Sequence, residues 1–335
     1  MSAEVAAQVI TVRDLRKSFS SRRGQPVEAV RGVDIDVLKG EIYGFLGPNG
    51  AGKTTTLRML TTLLPIDQGS AIVAGVDVAR EPARVRARIG YVSQAGGADD
   101  LDTGRESLLL QGRLYGGDAA AVAARTKELI RLLDLADFAD RRVVTYSGGQ
   151  RRRLDVALGL VHSPQVLFLD EPSTGLDPQN RANLWERIED LREAGTTIFL
   201  TTHYLDEADA LCDRVAIMDH GQIVAIGKPA ELKHEVAGQA VMLILRDPAA
   251  SLAAASALLE PLPYVHELSV QDGELHLYVD DGGERLPALL RLLDEQGIGL
   301  RSINLSEPTL DDVFLRYTGR SLRDVGQGSG RGAPA

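Results

Sequence analysis

GPNGAGKTT, at residues 47–55, follows the apolar stretch EIYGFL at residues 41–46 and opens a run of helix formers at residues 52–63. A strand that feeds a glycine-rich turn and then a helix aims several backbone amides at one point, which suits a polyphosphate. Gly47, Gly50 and Gly52 permit the tight turn, and Pro48, Asn49, Ala51 and Thr55 complete the loop. Lys53 adds a cation between terminal phosphates, and the Thr54 hydroxyl can join the coordination of Mg²⁺. By itself the motif says only that a nucleotide binds.

A second phosphate-shaped segment, YSGGQRRR at residues 146–153, places Ser147, Gly148, Gly149 and Gln150 at the start of a helix whose free amides can receive an anion. After it, VLFLDEP at residues 166–172 reads as a buried strand that delivers Asp170 and Glu171 at its exit, where neighbouring side chains point to opposite sides. Asp170 is placed to hold Mg²⁺ through water. Glu171 is placed to take the proton of a water attacking the γ-phosphate. One nucleotide needs only one cradle, so two cradles in one chain predict that each ATP is gripped by the loop of one copy and the SGGQ helix of another.

The pattern around these motifs predicts an α/β P-loop NTPase. Residues 33–37 alternate as a half-buried strand, and apolar strands at residues 89–92, 166–169, 197–200 and 214–218 alternate with helices. The nucleotide-binding domain is expected over residues 8–232, with a helical insert at about residues 95–165 that carries SGGQ at the start of its last helix. Residues 238–320 then read as a separate small α+β domain in the order β-α-β-β-α-β, a ferredoxin-like arrangement, with residues 321–335 as a disordered Gly/Ser-rich tail. A last helix is expected from Thr309, capped by Asp312, with Leu310, Val313, Phe314 and Tyr317 on one docking face.

The 335 residues carry a net charge of -10, which argues against a nucleic-acid partner bound through a broad basic surface. Cys212 is the only cysteine, so neither an internal disulfide nor a cysteine metal site is available. The N-terminal residues lack the basic and apolar regions of a signal peptide. The longest apolar stretches, residues 241–245 and 252–262, fall short of the roughly 20 that a membrane helix needs. A membrane role therefore requires a separate polypeptide.

With SGGQ beside the phosphate loop and the DEP strand, residues 10–229 resemble an ABC-type ATPase subunit. The resemblance implies that Ser147, Gly148 and Gly149 touch the γ-phosphate of the ATP held by the partner protomer, and that Asp177 in STGLD meets that protomer. It implies that Gln94 touches Mg²⁺ and the water and senses a transmembrane partner, and that His203 bonds the γ-phosphate and orients the water. Without it, Gln94 reads as an ordinary loop residue and His203 as a structural one. Phe19 stands where the family stacks an aromatic on adenine; a buried core phenylalanine is the equal alternative. Tyr146 replaces the usual Leu, which alters packing behind the loop rather than its donors. Arg151, Arg152 and Arg153 are expected to face solvent, the interface or the membrane subunit, and Trp185 and Cys212 to pack in the core.

QRRRLDVALGLV, TTHYLDEADALCDRVAIMDHG and the terminal SEPTLDDVFLRYTGR narrow the resemblance to ATPase subunits of ABC-2-type exporters of the daunorubicin-resistance group. That implies an ATP-dependent dimer at the cytoplasmic face of the membrane, attached through a separate transmembrane permease. The expected cargo is drugs, antibiotics or other amphipathic molecules. Export of a lipid or cell-surface polymer is the alternative. A soluble ABC protein of ribosomes or DNA is disfavoured, because two cassettes in one chain or a long coiled-coil insertion would be expected.

Overall fold

The computed structural model describes residues 7–20, 24, 26–235, 238–271 and 273–322. They form two compact units that part after Pro229. Along the first run β1 (Gln8–Phe19), β2 (Val27–Leu38), β3 (Ile42–Leu46), α1 (Lys53–Leu60), β4 (Gln68–Val73), β5 (Val76–Asp77), α2 (Pro82–Arg86), β6 (Ile89–Val92), α3 (Gly104–Leu114), α4 (Ala119–Leu132) and α5 (Gly148–Leu160). There follow β7 (Val166–Asp170), α6 (Pro178–Glu193), β8 (Thr197–Thr202), α7 (Leu205–Leu211), β9 (Arg214–Asp219) and β10 (Gln222–Gly227).

One sheet has the order β10-β9-β3-β8-β7-β6, parallel except where β10 turns back on β9. Parallel strands covered on both faces need apolar side chains at every position rather than at alternate ones. IYGFL, VLFLD and TIFLTT are accordingly buried along their whole length. Ligands of such sheets bind beyond the carboxyl ends of the strands. The adjacent strands β3, β8, β7 and β6 end there in the phosphate loop, His203, Glu171 and Gln94, respectively.

The antiparallel sheet β2-β1-β4-β5 lies outside what the alternation at residues 33–37 announced; that stretch is the second half of β2. Its inward residues, including Ile10, Val12, Val33, Ile35 and Val37, share a core with Tyr43, Phe45, Phe168 and Phe199. Helices α3, α4 and α5 fill the expected insert. Each starts on a side-chain cap: Thr103 with Glu106, Asp118, and Ser147 with Gln150.

The second unit takes in most of α8 (Pro229–Glu235), then β11 (Gln239–Leu245), α9 (Pro248–Leu259), β12 (Val265–Gln271), β13 (Glu274–Val279), α10 (Gly282–Glu295), β14 (Leu300–Ser306) and α11 (Leu310–Thr318). Its antiparallel sheet has the order β12-β13-β11-β14, the ferredoxin-like arrangement expected. Alternate residues Val241, Leu243 and Leu245 of β11 and Leu275, Leu277 and Val279 of β13 bury one face with Ala255, Leu259, Leu289 and Leu293 of the two helices. Thr309 and Asp312 make the expected capping box.

Two expectations about the end of the chain change. Leu310, Val313 and Phe314 are buried within this chain and only Tyr317 is exposed, so the apolar stripe of α11 is not a free docking face. Ser321 and Leu322, assigned to the tail, are buried too, because the Asp311 carboxylate accepts from the Ser321 hydroxyl at 2.9 Å and from the Leu322 amide at 2.8 Å. Residues 323–335 of that expected tail lie outside the described residues.

Candidate functional site

The loop between β3 and α1 is held in a shape that tolerates no side chain at its ends. A Cβ on Gly47 would stand 2.2 Å from the carbonyl oxygen of Met218. One on Gly52, where φ is +107°, would stand 2.4 Å from that of Ala29. Lys53 is buried and folds back over the loop, its Nζ donating to the carbonyls of Gly47 at 2.6 Å and Pro48 at 3.0 Å. Burial pushes its ammonium down to about 8 against the pull of Glu171 and Asp170. A cation kept this dry is poised for an anion.

At the exit of β7 the two acids separate as the strand alternation requires. Asp170 is buried, and its Oδ1 accepts from Thr54 Oγ1 at 3.0 Å and Thr201 Oγ1 at 2.7 Å. Glu171 turns the other way from a left-handed backbone, φ +47°, with its amide bonded to the carbonyl of Thr201 at 3.1 Å. A non-glycine residue in that region is strained and persists only where its surroundings hold it. Glu171 Oε2 accepts from Gln94 Nε2 at 3.3 Å and Thr174 Oγ1 at 3.2 Å, and lies 3.3 Å from His203 Nδ1, off the line of a hydrogen bond. Its Oε1 is 4.0 Å from Lys53 Nζ. The His203 contact holds the carboxyl below its usual range although burial opposes this.

Phe19, Asn49, Gly50, Ala51, Gly52, Lys53, Thr54, Thr55, Gln94, Glu171, Thr174 and His203 line one open cavity of about 710 Å³. Phe19, at the end of β1, is 40% exposed, which removes the core reading and leaves its ring on the rim. Ser147, Gly148, Gly149, Gln150 and Asp177 do not line this cavity. Ser147 and Gly148 are exposed; the Ser147 hydroxyl accepts from the Gln150 amide at 3.3 Å, and Gln150 Oε1 accepts from the Ser147 amide at 3.1 Å. Asp177 caps α6, accepting from the Asn180 amide at 2.9 Å. Tyr146 packs behind the SGGQ turn, edge-on to Phe138, with its hydroxyl on the Phe138 carbonyl at 2.7 Å.

Of the three arginines after SGGQ, the middle one does not face outward as expected. Arg152 is buried and its guanidinium donates to the carbonyls of Pro172 at 2.8 Å, Ser93 at 2.7 Å and Asp170 at 3.1 Å. Arg151 pairs with Asp100 at 2.6 Å and Arg153 with Asp134 at 2.8 Å. The planar guanidinium supplies several donors in fixed directions, and each of its three nitrogens meets one backbone carbonyl. Thr174, Thr201 and Arg152 are site residues that motif reading passed over. Their only signal in the sequence is adjacency to DEP, to His203 and to SGGQ.

Family comparison agrees with this geometry. Residues 30–174 match the ABC transporter family, and residues 227–318 match the C-terminal domain of ATP-binding proteins like DrrA1-3. The daunorubicin resistance ATP-binding protein DrrA3 of Streptomyces coeruleorubidus is 44% identical over 95% of this chain and 98% of its own. The chain belongs to the DrrA-like ATP-binding subunits of ABC transporters. Such a subunit binds and hydrolyses ATP for an exporter. Another relative of this ABC subunit, the Nod factor export ATP-binding protein I of Ralstonia nicotianae, is 40% identical over 94% of this chain and 95% of its own. A dimeric ATP-binding cassette solved after hydrolysis with ADP and phosphate has the same fold as the first unit, with a TM-score of 0.60 at 22% identity over 65% of this chain and 98% of that one. Among the described residues of the ABC subunit, no helix is long and apolar enough to cross a membrane.

Proposed function

We propose that two copies of this subunit close around two ATP molecules and that hydrolysis drives efflux of drugs, antibiotics or other amphipathic molecules through a separate membrane permease. The observation that carries the composite site is the separation of the two cradles. The cavity of the phosphate loop holds Glu171, Gln94 and His203 but lacks SGGQ and Asp177, whose exposed surfaces remain for a second copy.

In this reading the loop amides from Gly47 to Thr55 and Lys53 hold the β- and γ-phosphates, and Phe19 stacks on adenine. Ser147, Gly148, Gly149 and Gln150 of the other copy cap the γ-phosphate, with Asp177 alongside. Glu171, kept ionised, accepts a proton from the attacking water, which Gln94 and His203 orient. The oxygen-only donor set of Thr54, Asp170 and Gln94 suits a hard cation. Mg²⁺ held by these residues would supply positive charge beside the phosphates.

The subunit sits at the cytoplasmic face, attached through the permease. The similarity to drug-resistance proteins supports a drug as cargo. The Nod factor relative supports a second reading, export of a lipid or cell-surface polymer. The test is to purify the subunit with its permease, reconstitute both in vesicles, and measure ATPase activity with amphipathic drugs or lipids added. Stimulation by drugs is expected. Stimulation by lipids alone favours the second reading, and ATPase indifferent to the permease would overturn both.

A further inference from the structure

Behind the nucleotide site, α6 meets α7 through side chains that the chemistry above does not use. Arg181 and Trp185 stand one turn apart on α6, so they share a face. The Arg181 guanidinium lies 4.6 Å over the Tyr204 ring and bonds Asp206 at 2.9 Å. The Tyr204 ring lies 4.1 Å from that of His203. One turn further along, the Trp185 indole N–H donates to Ser173 Oγ at 3.0 Å and to Glu207 Oε1 at 3.1 Å. The Ser173 hydroxyl donates to the same Oε1.

Ser173 and Glu207 are fully buried. Burial pushes this carboxyl up. An apolar side chain here would leave the Ser173 hydroxyl and the Trp185 indole N–H without this acceptor, so one acid joins three elements. Ser173 lies between Glu171 and the loop at residues 174–177, while Glu207 lies on the helix that follows His203. One carboxyl thus ties the strand exit that leads to Glu171 to the helix that follows His203.

We propose that Glu207 is a positioning residue which, with Ser173 and Trp185, fixes His203 relative to Glu171 and carries movement of the 174–177 loop to His203 along α6. The proposal rests on the reading of His203 as the γ-phosphate contact. Trp185 is the only tryptophan in the chain, so its emission reports on this clamp directly.

The experiment titrates the full-length chain with Mg·ATP while following tryptophan emission, and measures binding of labelled ATP separately. Wild type is expected to shift its emission on binding. Glu207→Ala should bind labelled ATP within about threefold of wild type, lose the shift, and fall about tenfold in kcat with KM unchanged. Glu207→Gln, which keeps the shape and the Oε1 acceptor, should restore both. Should Glu207→Ala fail to fold, Trp185→Phe removes the donor while keeping an aromatic ring and is expected to lower kcat about threefold. Wild type that binds labelled ATP without an emission change overturns the proposal, as does a Glu207→Ala variant that loses only thermal stability, or a Trp185→Phe variant with unchanged kcat. Failure of wild type to bind ATP at all would instead overturn the functional reading beneath it.

Discussion

Glu171 combines a strained backbone, a carboxyl held below its usual range and three polar neighbours, a combination that supports the proton acceptor proposed above. Glu171→Gln preserves size and the contacts to Gln94 and Thr174 while removing the base. Phosphate release is expected to slow about 10²-fold or more with ATP affinity retained; near-normal turnover would remove Glu171 from this role. Lys53 allows a different test. Below pH 8 both folded and unfolded chains carry its charge, and only the folded one bears it buried. Between about 8 and the ordinary value of 10.5 the folded chain gives up the proton first, so the cost of burial declines as pH rises. The stability of wild type relative to Lys53→Met, from urea unfolding without nucleotide, is therefore expected to rise across that window. A flat or falling difference contradicts it.

The helix α5 does more than present SGGQ. Its Arg152 holds the carbonyls of Ser93 and Asp170, and its Asp155 accepts from the amide of Gly97 at 3.0 Å, so one helix fixes both the Gln94 loop and the exit of β7. Lysine cannot reach three carbonyls from one point. Arg152→Lys is expected to cost about 3 kcal/mol in unfolding free energy and to lower turnover at least tenfold. A stable, fully active variant would show these bonds to be dispensable. Arg152 also marks where reading the sequence failed. A run of three arginines has the look of a solvated face, and only tertiary packing turns the middle one inward. Strand β1 escaped for a related reason: bulges near Asp14, whose φ is +44°, shift the buried set from Ile10 and Val12 to Leu15 and Lys17 and break the period of two. Strands β3, β6, β7 and β8 were legible because continuous burial leaves unbroken apolar runs. Most residues of the cavity, though not Thr174, were legible because phosphate chemistry restricts both residue type and spacing.

At the scale of the whole molecule, the second unit lacks nucleotide motifs and has a core of its own. Truncation near Gly238 is expected to leave labelled-ATP binding largely intact while weakening co-purification with the permease. Phe314→Asp, which puts a charge at a fully buried position, should lower the unfolding temperature of the chain by several degrees rather than act only on assembly. A variant as stable as wild type would mean that the α11 stripe is free after all. The composite site makes the stronger demand, because it assigns each half of one active centre to a different copy. Lys53→Ala damages the loop half and Ser147→Arg the capping half, so either variant alone has two spoiled sites per dimer. In mixed dimers one site carries both defects and the other carries neither. With Glu171→Gln in every chain, intact sites are counted by the labelled ATP they occlude, without requiring the two sites to turn over together. Random mixing of equal amounts is expected to recover roughly a quarter of the occluded nucleotide of the parent, since about half the dimers are mixed and each keeps one of two sites. If both halves of a site came from the same chain, a mixture would occlude no more than the two variants do separately. Recovery therefore separates the two geometries.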